Sequence, residues 1–130
     1  MMVLIDTSAW IEFFRAEGDW YIKSRVAEYL SLGRAAYTCP VSFELFLGAR
    51  PSELADLREG LGFAQRIRMN PGHWDVAAIQ GSKLRSRGLT FPATDLLIAT
   101  IAVESQSPLL TCDQHFEQIR DGVLDSLKLV

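Results

Sequence analysis

Cysteine, long apolar runs and excess positive charge are all scarce in this sequence. Cys39 and Cys112 are its two cysteines, too few for a disulfide framework, and no CxxC or cysteine–histidine spacing suggests a zinc site. We expect both thiols to be buried and unreactive.

The longest stretch without a charged residue is 35–43, far short of the ~20 residues that cross a bilayer. The apolar start reaches Asp6 before a signal-peptide core develops, so we expect a soluble, cytoplasmic protein with no membrane contact.

Glycine and proline are also few, at nine and five of 130 residues, and no repeat or linker divides the chain. Apolar residues make up 48% of the sequence and charged residues 22%, which is typical of a globular domain. A chain of this length buries roughly two thirds of its surface on folding. These features predict a single domain over residues 1–130.

A net positive charge is absent, since 13 basic and 16 acidic residues leave a net charge of −3. That total argues against a polyanionic partner such as nucleic acid. The distribution qualifies it, because residues 50–87 hold seven basic and four acidic side chains, net +3, while the rest of the chain nets −6. A basic middle segment between acidic ends needs a functional explanation.

Short apolar runs alternate with helical patterns along the chain, which predicts an α/β fold with a mainly parallel sheet. Strands are predicted at residues 2–5, 35–39 and 108–112, with a candidate edge strand at 127–130 and a short apolar alternation at 66–69. Helices are predicted after the capping residues Thr7 and Ser8, at 19–32, 41–49, 51–61, 73–87 and 95–104, and in a short segment ending at Arg120. The 95–104 helix is apolar on every face, which indicates an interior position.

Four acidic residues occupy positions that favour chemistry over structure. Asp6 and Asp113 each follow an apolar strand, and side chains beyond the carboxyl ends of parallel strands meet in one crevice. Glu44 falls in the first turn of an apolar helix, and Asp95 begins the helix that is apolar all round. Two carboxylates ~5–7 Å apart repel by about 2–3 kcal/mol at an effective dielectric near 20. Four of them together therefore require a cation or bound protons.

Oxygen ligands without histidine or cysteine favour a hard divalent ion, Mg²⁺ or Mn²⁺. Such a site can activate water for in-line attack on a phosphodiester, so the pattern predicts nuclease chemistry. Taken singly, each acid has a structural alternative: Asp6, Asp95 and Asp113 could cap helices, and Glu44 could be a solvated surface acid. Their joint placement favours the metal site.

The segments that carry these acids resemble the motifs of the PIN-domain ribonucleases, and specifically of the VapC-type toxins of toxin–antitoxin pairs. They read VLIDTSAWIEFFR, VSFELFLGAR, PATDLLIATIA and TCDQHF, in the family's order and at similar spacing. The resemblance implies a three-layer α/β/α sandwich and endonucleolytic cleavage of structured RNA with Mg²⁺ or Mn²⁺. It also implies a homodimer, and a small VapB-like antitoxin whose C-terminal segment lies in the active-site groove.

The same resemblance assigns roles to the acids, since the family's acidic positions match Asp6, Glu44, Asp95 and Asp113. We expect Asp6 and Asp95 to hold the main metal ion, directly or through water. Glu44 and Asp113 then complete the site and orient the attacking water.

Other polar residues near the acids have two interpretations each. Ser8 and Thr111 match positions where the family places hydroxyls that support the acids, yet helix capping and turn formation explain them equally well. His115 could contact a phosphate, but a lone histidine in a first helical turn is more typical of the surface. We expect His73 to be structural.

The basic segment also has two interpretations, phosphate tracking and solvated helix faces. We favour phosphate tracking, because with the four acids assigned to a metal site the rest of the chain has 13 basic and 12 acidic residues. The residues concerned are Arg66, Arg68, Lys83, Arg85 and Arg87. Aromatic residues at 10, 13, 14, 20 and 21 could form either an antitoxin-binding groove or core.

The sequence leaves other functions open. A PIN-fold nuclease of RNA processing outside a toxin system would share every motif. A catalytically silent binding module is disfavoured because all four acids are present. A receiver-type signalling domain needs adjacent acids after its first strand and a lysine after its last, whereas Ile5 precedes Asp6 and no lysine lies near Asp113. The DxDxT phosphatase motif is absent as well, since Thr7 and Ser8 follow Asp6.

Overall fold

Four strands and seven α-helices alternate in this computed structural model, which describes residues 1–130. In chain order they are β1 (Val3–Ile5), α1 (Thr7–Phe14), α2 (Trp20–Ser31), β2 (Ala35–Thr38), α3 (Cys39–Gly48), a 3₁₀ turn (Pro51–Glu53), α4 (Leu54–Gly62), β3 (Gln65–Ile67), α5 (Pro71–Ser86), α6 (Ala93–Glu104), β4 (Leu109–Leu110) and α7 (His115–Gly122).

The strands form one parallel sheet in the order β3-β2-β1-β4. Leu4 of β1 pairs with Ala36 of β2 on one side and with Leu109 of β4 on the other. The chain leaves β1 toward β2 and later returns to the opposite side of β1 as β4. Connections therefore diverge at the carboxyl end of β1, and in open α/β sheets such a switch point is where binding crevices form.

One hydrophobic core of 23 buried residues surrounds the sheet. Val3, Leu4 and Ile5 alternate between the two sheet faces, and none is more than 2% exposed, so helices cover both faces. This layering confirms the fold class predicted from the sequence. Helix α6 is buried at residues 97–102, as its uniform apolar pattern predicts. None of the helices combines the length and apolar character that crossing a membrane requires.

Four helices begin earlier than the sequence predicts. α1 begins at Thr7 with Asp6 as its N-cap, so the expectation that Thr7 or Ser8 caps it is wrong, and α6 begins at Ala93 rather than at residue 95. In α3 and α5 a proline is the reason. α3 begins at Cys39 rather than at residue 41, and α5 begins at Pro71 rather than at residue 73. Pro40 and Pro71 fit a first helical turn, where their missing N–H would have no intrahelical partner. The Asn70 side chain caps α5.

The weaker strand predictions also change. The alternation at 66–69 is the parallel edge strand β3, whose residues are exposed or half-buried and give little apolar signal. At 127–130 the predicted edge strand is reduced to a single bridge between Leu109 and Leu129.

Candidate active site

Asp6 lies at the centre of the sheet edge, between the end of β1 and the start of α1. Its backbone N–H donates to the carbonyl of Leu110, 2.9 Å away, which continues the pairing of β1 with β4. Asp6 is 3% exposed, and its Oδ2 accepts from the hydroxyls of Ser8 and Thr111, both at 2.8 Å, and from the Ser8 N–H at 3.4 Å. Because all three bonds reach Oδ2, Oδ1 remains available to a cation.

Ser8 and Thr111 form a small hydroxyl network around Asp6. Their oxygens lie 3.2 Å apart. The Cys112 N–H donates to Ser8 Oγ at 2.9 Å, and the Asp113 N–H donates to Thr111 Oγ1 at 3.0 Å. The network therefore connects the turn after β4 to the start of α1. Of the four acidic side chains, only that of Asp6 accepts hydrogen bonds from it.

Glu44 is held by two threonines, Thr7 and Thr94, for which the sequence predicts no role at the acidic site. Thr7 Oγ1 donates to Glu44 Oε1 at 2.7 Å, and Thr94 Oγ1 donates to Glu44 Oε2 at 3.2 Å. Thr7 follows Asp6 and Thr94 precedes Asp95, so the Glu44 carboxylate lies between the starts of α1 and α6. Since α3 begins at Cys39, Glu44 occupies its second turn rather than the first turn predicted.

Asp95 lies in the first turn of α6 and is 8% exposed. Its Oδ2 lies 2.7 Å from His115 Nδ1, which is also 3.5 Å from Asp113 Oδ1. The His115 N–H donates to Asp113 Oδ1 at 2.9 Å, which closes a turn just before α7, whose N-cap residue is Gln114. One ligand atom each from Asp95, Asp113 and His115 lie within 4.8 Å of one another.

His115 is the functional candidate that sequence reasoning placed on the surface. Its side chain is 44% exposed, but Nδ1 faces the acids. Its position two residues after Asp113 was the available signal. That signal was insufficient, because the contact with Asp95 depends on how α6 and α7 pack.

Burial raises the pKa of Asp6 above its usual value, although the hydroxyls of Ser8 and Thr111 act in the opposite direction. Burial also raises the pKa of Asp95 to about 6; the hydrogen bond from His115 opposes this, and the charges of Asp6 and Asp113 add to it. The hydrogen bond to Asp95 raises the pKa of His115 in turn. Clustered carboxylates hold protons in this way, and a bound cation reverses the effect.

The donor atoms fit a divalent cation. Asp6 offers an oxygen without hydrogen-bond donors, and Asp95, Asp113 and His115 bring three more ligand atoms close together. Carboxylate oxygens are the ligands that Mg²⁺ and Mn²⁺ accept most readily. The arrangement can therefore hold one such ion at the switch point of the sheet.

A protein-family model described as "PIN domain" matches residues 3–122, which include all four acids. The chain belongs to the PIN-domain family. Two curated relatives are the VapC ribonuclease Mb1587 of Mycobacterium bovis and the ribonuclease VapC11 of Mycobacterium tuberculosis. Each is 32% identical over 129 residues and covers 91% of both chains, which makes this protein a member of the VapC ribonucleases.

Solved structures share the PIN fold at lower identity. VapBC2 of Rickettsia felis, bound to a promoter DNA fragment, superposes with a TM-score of 0.81 at 19% identity, covering 100% of this chain and 98% of that chain. DNA-bound VapBC of Salmonella typhimurium gives 0.80 at 15% identity with the same coverage. These likenesses confirm the fold that the four motifs imply.

A groove of about 420 Å³ opens beside Glu44 of this PIN domain, lined mostly by residues of α1, α3 and α4. Trp10 is fully buried, so the core interpretation holds for it, whereas Phe13 and Phe14 pack against the core and also line the groove. Trp20 and Tyr21 are exposed on α2. Glu44 also lines the groove, so groove and acidic site share one carboxylate.

The five basic residues predicted to track phosphates are all exposed. None of them forms an ion pair or contacts the acids. The Arg66 guanidinium donates to the Tyr37 hydroxyl at 3.3 Å and stacks 5.4 Å above that ring. Arg87 donates to the carbonyl of Gly122, and the side chains of the other three have no hydrogen-bond partner.

The expectation of two buried thiols is wrong for Cys112. Cys39 is half-buried, but Cys112 is exposed, and the two form no disulfide. The exposure arises because β4 ends at Leu110, so Cys112 lies in the turn beyond the sheet rather than at a strand end.

Proposed function

We propose that this VapC-type ribonuclease is a Mg²⁺- or Mn²⁺-dependent endoribonuclease that hydrolyses phosphodiester bonds in structured RNA. The observation that carries the proposal is that acids from four separate segments lie around the switch point of the sheet, with Asp6 and Asp95 buried and Glu44 and Asp113 partly exposed. Burying such charges without compensation is costly. A structural role would not require that cost.

Within this proposal Asp6 and Asp95 hold the metal ion, and Glu44 and Asp113 complete the site and orient the attacking water. A divalent ion, when bound, lowers the pKa of its water and neutralises charge on the phosphate. Hydrogen bonds from the hydroxyls of Ser8 and Thr111 hold the Asp6 carboxylate in position. Thr7 and Thr94, the sequence neighbours of Asp6 and Asp95, each donate a hydrogen bond to the Glu44 carboxylate. These two bonds hold Glu44 in place relative to Asp6 and Asp95.

The five basic side chains in and beside β3 and α5 supply the second part of the proposal. They are five of the seven basic residues that give residues 50–87 a net charge of +3, and three of the five are not bound to any protein group. Lysine and arginine that track phosphates confer affinity without reading sequence. We therefore assign them to the RNA backbone on either side of the cleaved bond.

The third part concerns a protein partner. Named structural neighbours are VapBC complexes, and we propose that a VapB-like antitoxin inhibits this protein by occupying the groove beside Glu44. The groove combines aromatic and aliphatic walls with Glu44, Glu53 and Asp56. It suits a segment that carries apolar side chains and a basic one. We also propose a homodimer, as the family implies.

The test is RNA cleavage by the purified protein with Mg²⁺ or Mn²⁺. Asp6→Asn and Asp95→Asn should abolish cleavage and leave the circular dichroism spectrum unchanged. Asp125→Asn, an exposed acid outside the site, is the matched control and should cleave as the wild type does. Absence of cleavage by the wild type with either ion, or full activity in the two site variants, would contradict the proposal.

Growth arrest separates a toxin from an RNA-processing nuclease of the same fold. Expression of the wild type should stop growth, Asp6→Asn should not, and co-expression of a short reading frame encoded beside this one should restore growth. Cleavage activity in vitro without growth arrest would favour RNA processing outside a toxin system.

A further inference from the structure

His115 places a nitrogen atom among the carboxylates. Its Nδ1 lies 2.7 Å from Asp95 Oδ2 and 3.5 Å from Asp113 Oδ1, and the three ligand atoms fall within 4.8 Å of one another. In an octahedral shell with bonds of about 2.1 Å, neighbouring ligands are about 3 Å apart and opposite ones about 4.2 Å. Small side-chain rotations therefore suffice for all three atoms to share one ion.

The imidazole is oriented by the fold. Phe91 packs edge-to-face against the ring at 5.3 Å. Phe116, the next residue, is fully buried and fixes the start of α7. The His115 N–H is bonded to Asp113 Oδ1, so the histidine and this aspartate move together. The ring contact with Phe91 and the anchored backbone at the start of α7 thus hold Nδ1 toward the acids, unlike the nitrogen of a freely rotating surface histidine.

A nitrogen ligand changes which ions a site prefers. Sites built from oxygen alone suit Mg²⁺, whereas imidazole favours first-row transition metals. A histidine that only donates a hydrogen bond to a ligating carboxylate adds no nitrogen to the coordination shell and leaves that preference unchanged. If Nδ1 binds the ion directly, the site prefers a transition metal. If Nδ1 only forms a hydrogen bond with Asp95, the site keeps the preference of an all-oxygen shell.

We propose that His115 is a metal ligand through Nδ1 and gives the site a preference for a transition-metal ion, such as Mn²⁺, over Mg²⁺. This inference rests on the metal-dependent function proposed above and specifies its ion. Asp95 and Asp113 supply the oxygen ligands beside the nitrogen. The RNA substrate and the antitoxin do not enter the argument.

The experiment is pulsed electron paramagnetic resonance on the full chain loaded with Mn²⁺, without RNA. A directly bound imidazole nitrogen modulates the Mn²⁺ spin echo, and a nitrogen beyond the ligand shell does so far more weakly. The wild type should show the nitrogen modulation. Isothermal titration with Mn²⁺ and with Mg²⁺ on the same samples gives the ratio of the two affinities.

Three variants make the assignment specific. His115→Gln should lose the nitrogen modulation and lower the Mn²⁺-to-Mg²⁺ affinity ratio by about tenfold or more. His115→Asp replaces nitrogen by oxygen and should still bind metal, with the ratio shifted toward Mg²⁺. His73 is the other histidine of the chain. His73→Gln is the matched control, because glutamine preserves the capping box of α5, and it should keep both the modulation and the ratio.

Each outcome is decisive. Modulation that disappears in His115→Gln and persists in His73→Gln supports the proposal. Mn²⁺ binding without nitrogen modulation, or an unchanged affinity ratio in His115→Gln, overturns it and leaves the proposed nuclease function intact. A wild type that binds neither ion overturns both the inference and the metal dependence of the proposed function.

Discussion

Asp6 and Asp113 differ in exposure, which divides the acidic site into a buried half, with Asp6 and Asp95, and an open half, with Asp113. Asp6 is 3% exposed and receives a hydrogen bond from Thr111, which is 105 residues away in sequence. The Asp113 side chain is 36% exposed, and its hydrogen bond comes from His115, two residues away. Asp6 is positioned both by its neighbour Ser8 and by the tertiary fold, whereas Asp113 is positioned by its own turn. The open half faces solvent.

The sharpest test of this difference compares Asp6→Asn with Asp113→Asn. We expect kcat/KM for RNA cleavage to fall about a thousandfold for Asp6→Asn, since loss of the central ligand removes several kcal/mol of charge stabilisation. Asp113→Asn should cost only about tenfold, because its exposed position lets water replace the lost oxygen. Folding stability of Asp6→Asn should not fall, since a buried charge is removed. Equal losses of activity would refute the division into two halves.

The pH dependence of the free energy of unfolding tests the buried half, which includes Asp95. Asp95 has a folded pKa of about 6, above the value near 3.8 expected in the unfolded chain, so the folded state binds this proton more tightly. Metal-free protein should lose about 2–3 kcal/mol of stability as pH rises from 4 to 7. The raised pKa of His115 acts in the same direction at higher pH.

Thermal denaturation at a series of pH values, with and without Mn²⁺, measures this effect. Metal competes with protons for the carboxylates, so the rise in Tm on adding Mn²⁺ should increase from pH 5 to pH 8. Asp95→Asn should flatten the metal-free curve. A metal-induced rise that is the same at every pH would show that Asp95 does not bind the ion.

Thr111→Val tests the link between the two halves, because this hydroxyl bonds both Asp6 and the Asp113 backbone. Because Asp6 then has one hydrogen-bond donor fewer, the free energy of unfolding should fall by about 1–3 kcal/mol, and kcat should fall about tenfold. Thr100→Val is the matched control, since the Thr100 hydroxyl is buried without a hydrogen-bond partner. Urea unfolding and single-turnover cleavage should leave the control unchanged or slightly stabilised. An equal response of both variants would indicate general packing rather than support of the acids.

The smallest expected effects concern the basic side chains outside both halves. Lys83→Gln and Arg85→Gln should each raise KM about two- to threefold and make the slope of log KM against log salt shallower by nearly one. Cleavage assays from 50 to 200 mM salt measure this slope. Lys128→Gln, exposed but outside the basic segment, should change neither quantity. Slopes that match the wild type would mean that the α5 face does not meet RNA.

Asp6 and Asp95 can be singled out from the sequence because each carries a local signal, and their role as metal ligands stays a prediction. Asp6 follows an apolar strand, and Asp95 lies in the first turn of a helix that is apolar on every face; both patterns are unusual for surface residues. The parallel sheet follows for the same reason, since a strand such as β1 is buried on both faces and is apolar at every position.

Thr7, Thr94 and His115 lack such local signals. A threonine beside an aspartate at a helix start is ordinary, and its bond to Glu44 exists only because α1, α3 and α6 converge. The edge strand β3 was weakly predicted for a related reason, since strands with exposed side chains have no apolar pattern to detect. Interactions that join distant segments are properties of the packing, and a single sequence records them poorly.

The hydrogen bond from the Asp6 N–H to Leu110 has a consequence for proton exchange with solvent. This amide belongs both to the residue at the centre of the acidic site and to the pairing of the two central strands. Exchange at such an amide requires the strands to separate, which in a small sheet approaches global unfolding. The deuterium uptake of one backbone position therefore reports the integrity of the acidic site and of the whole fold together.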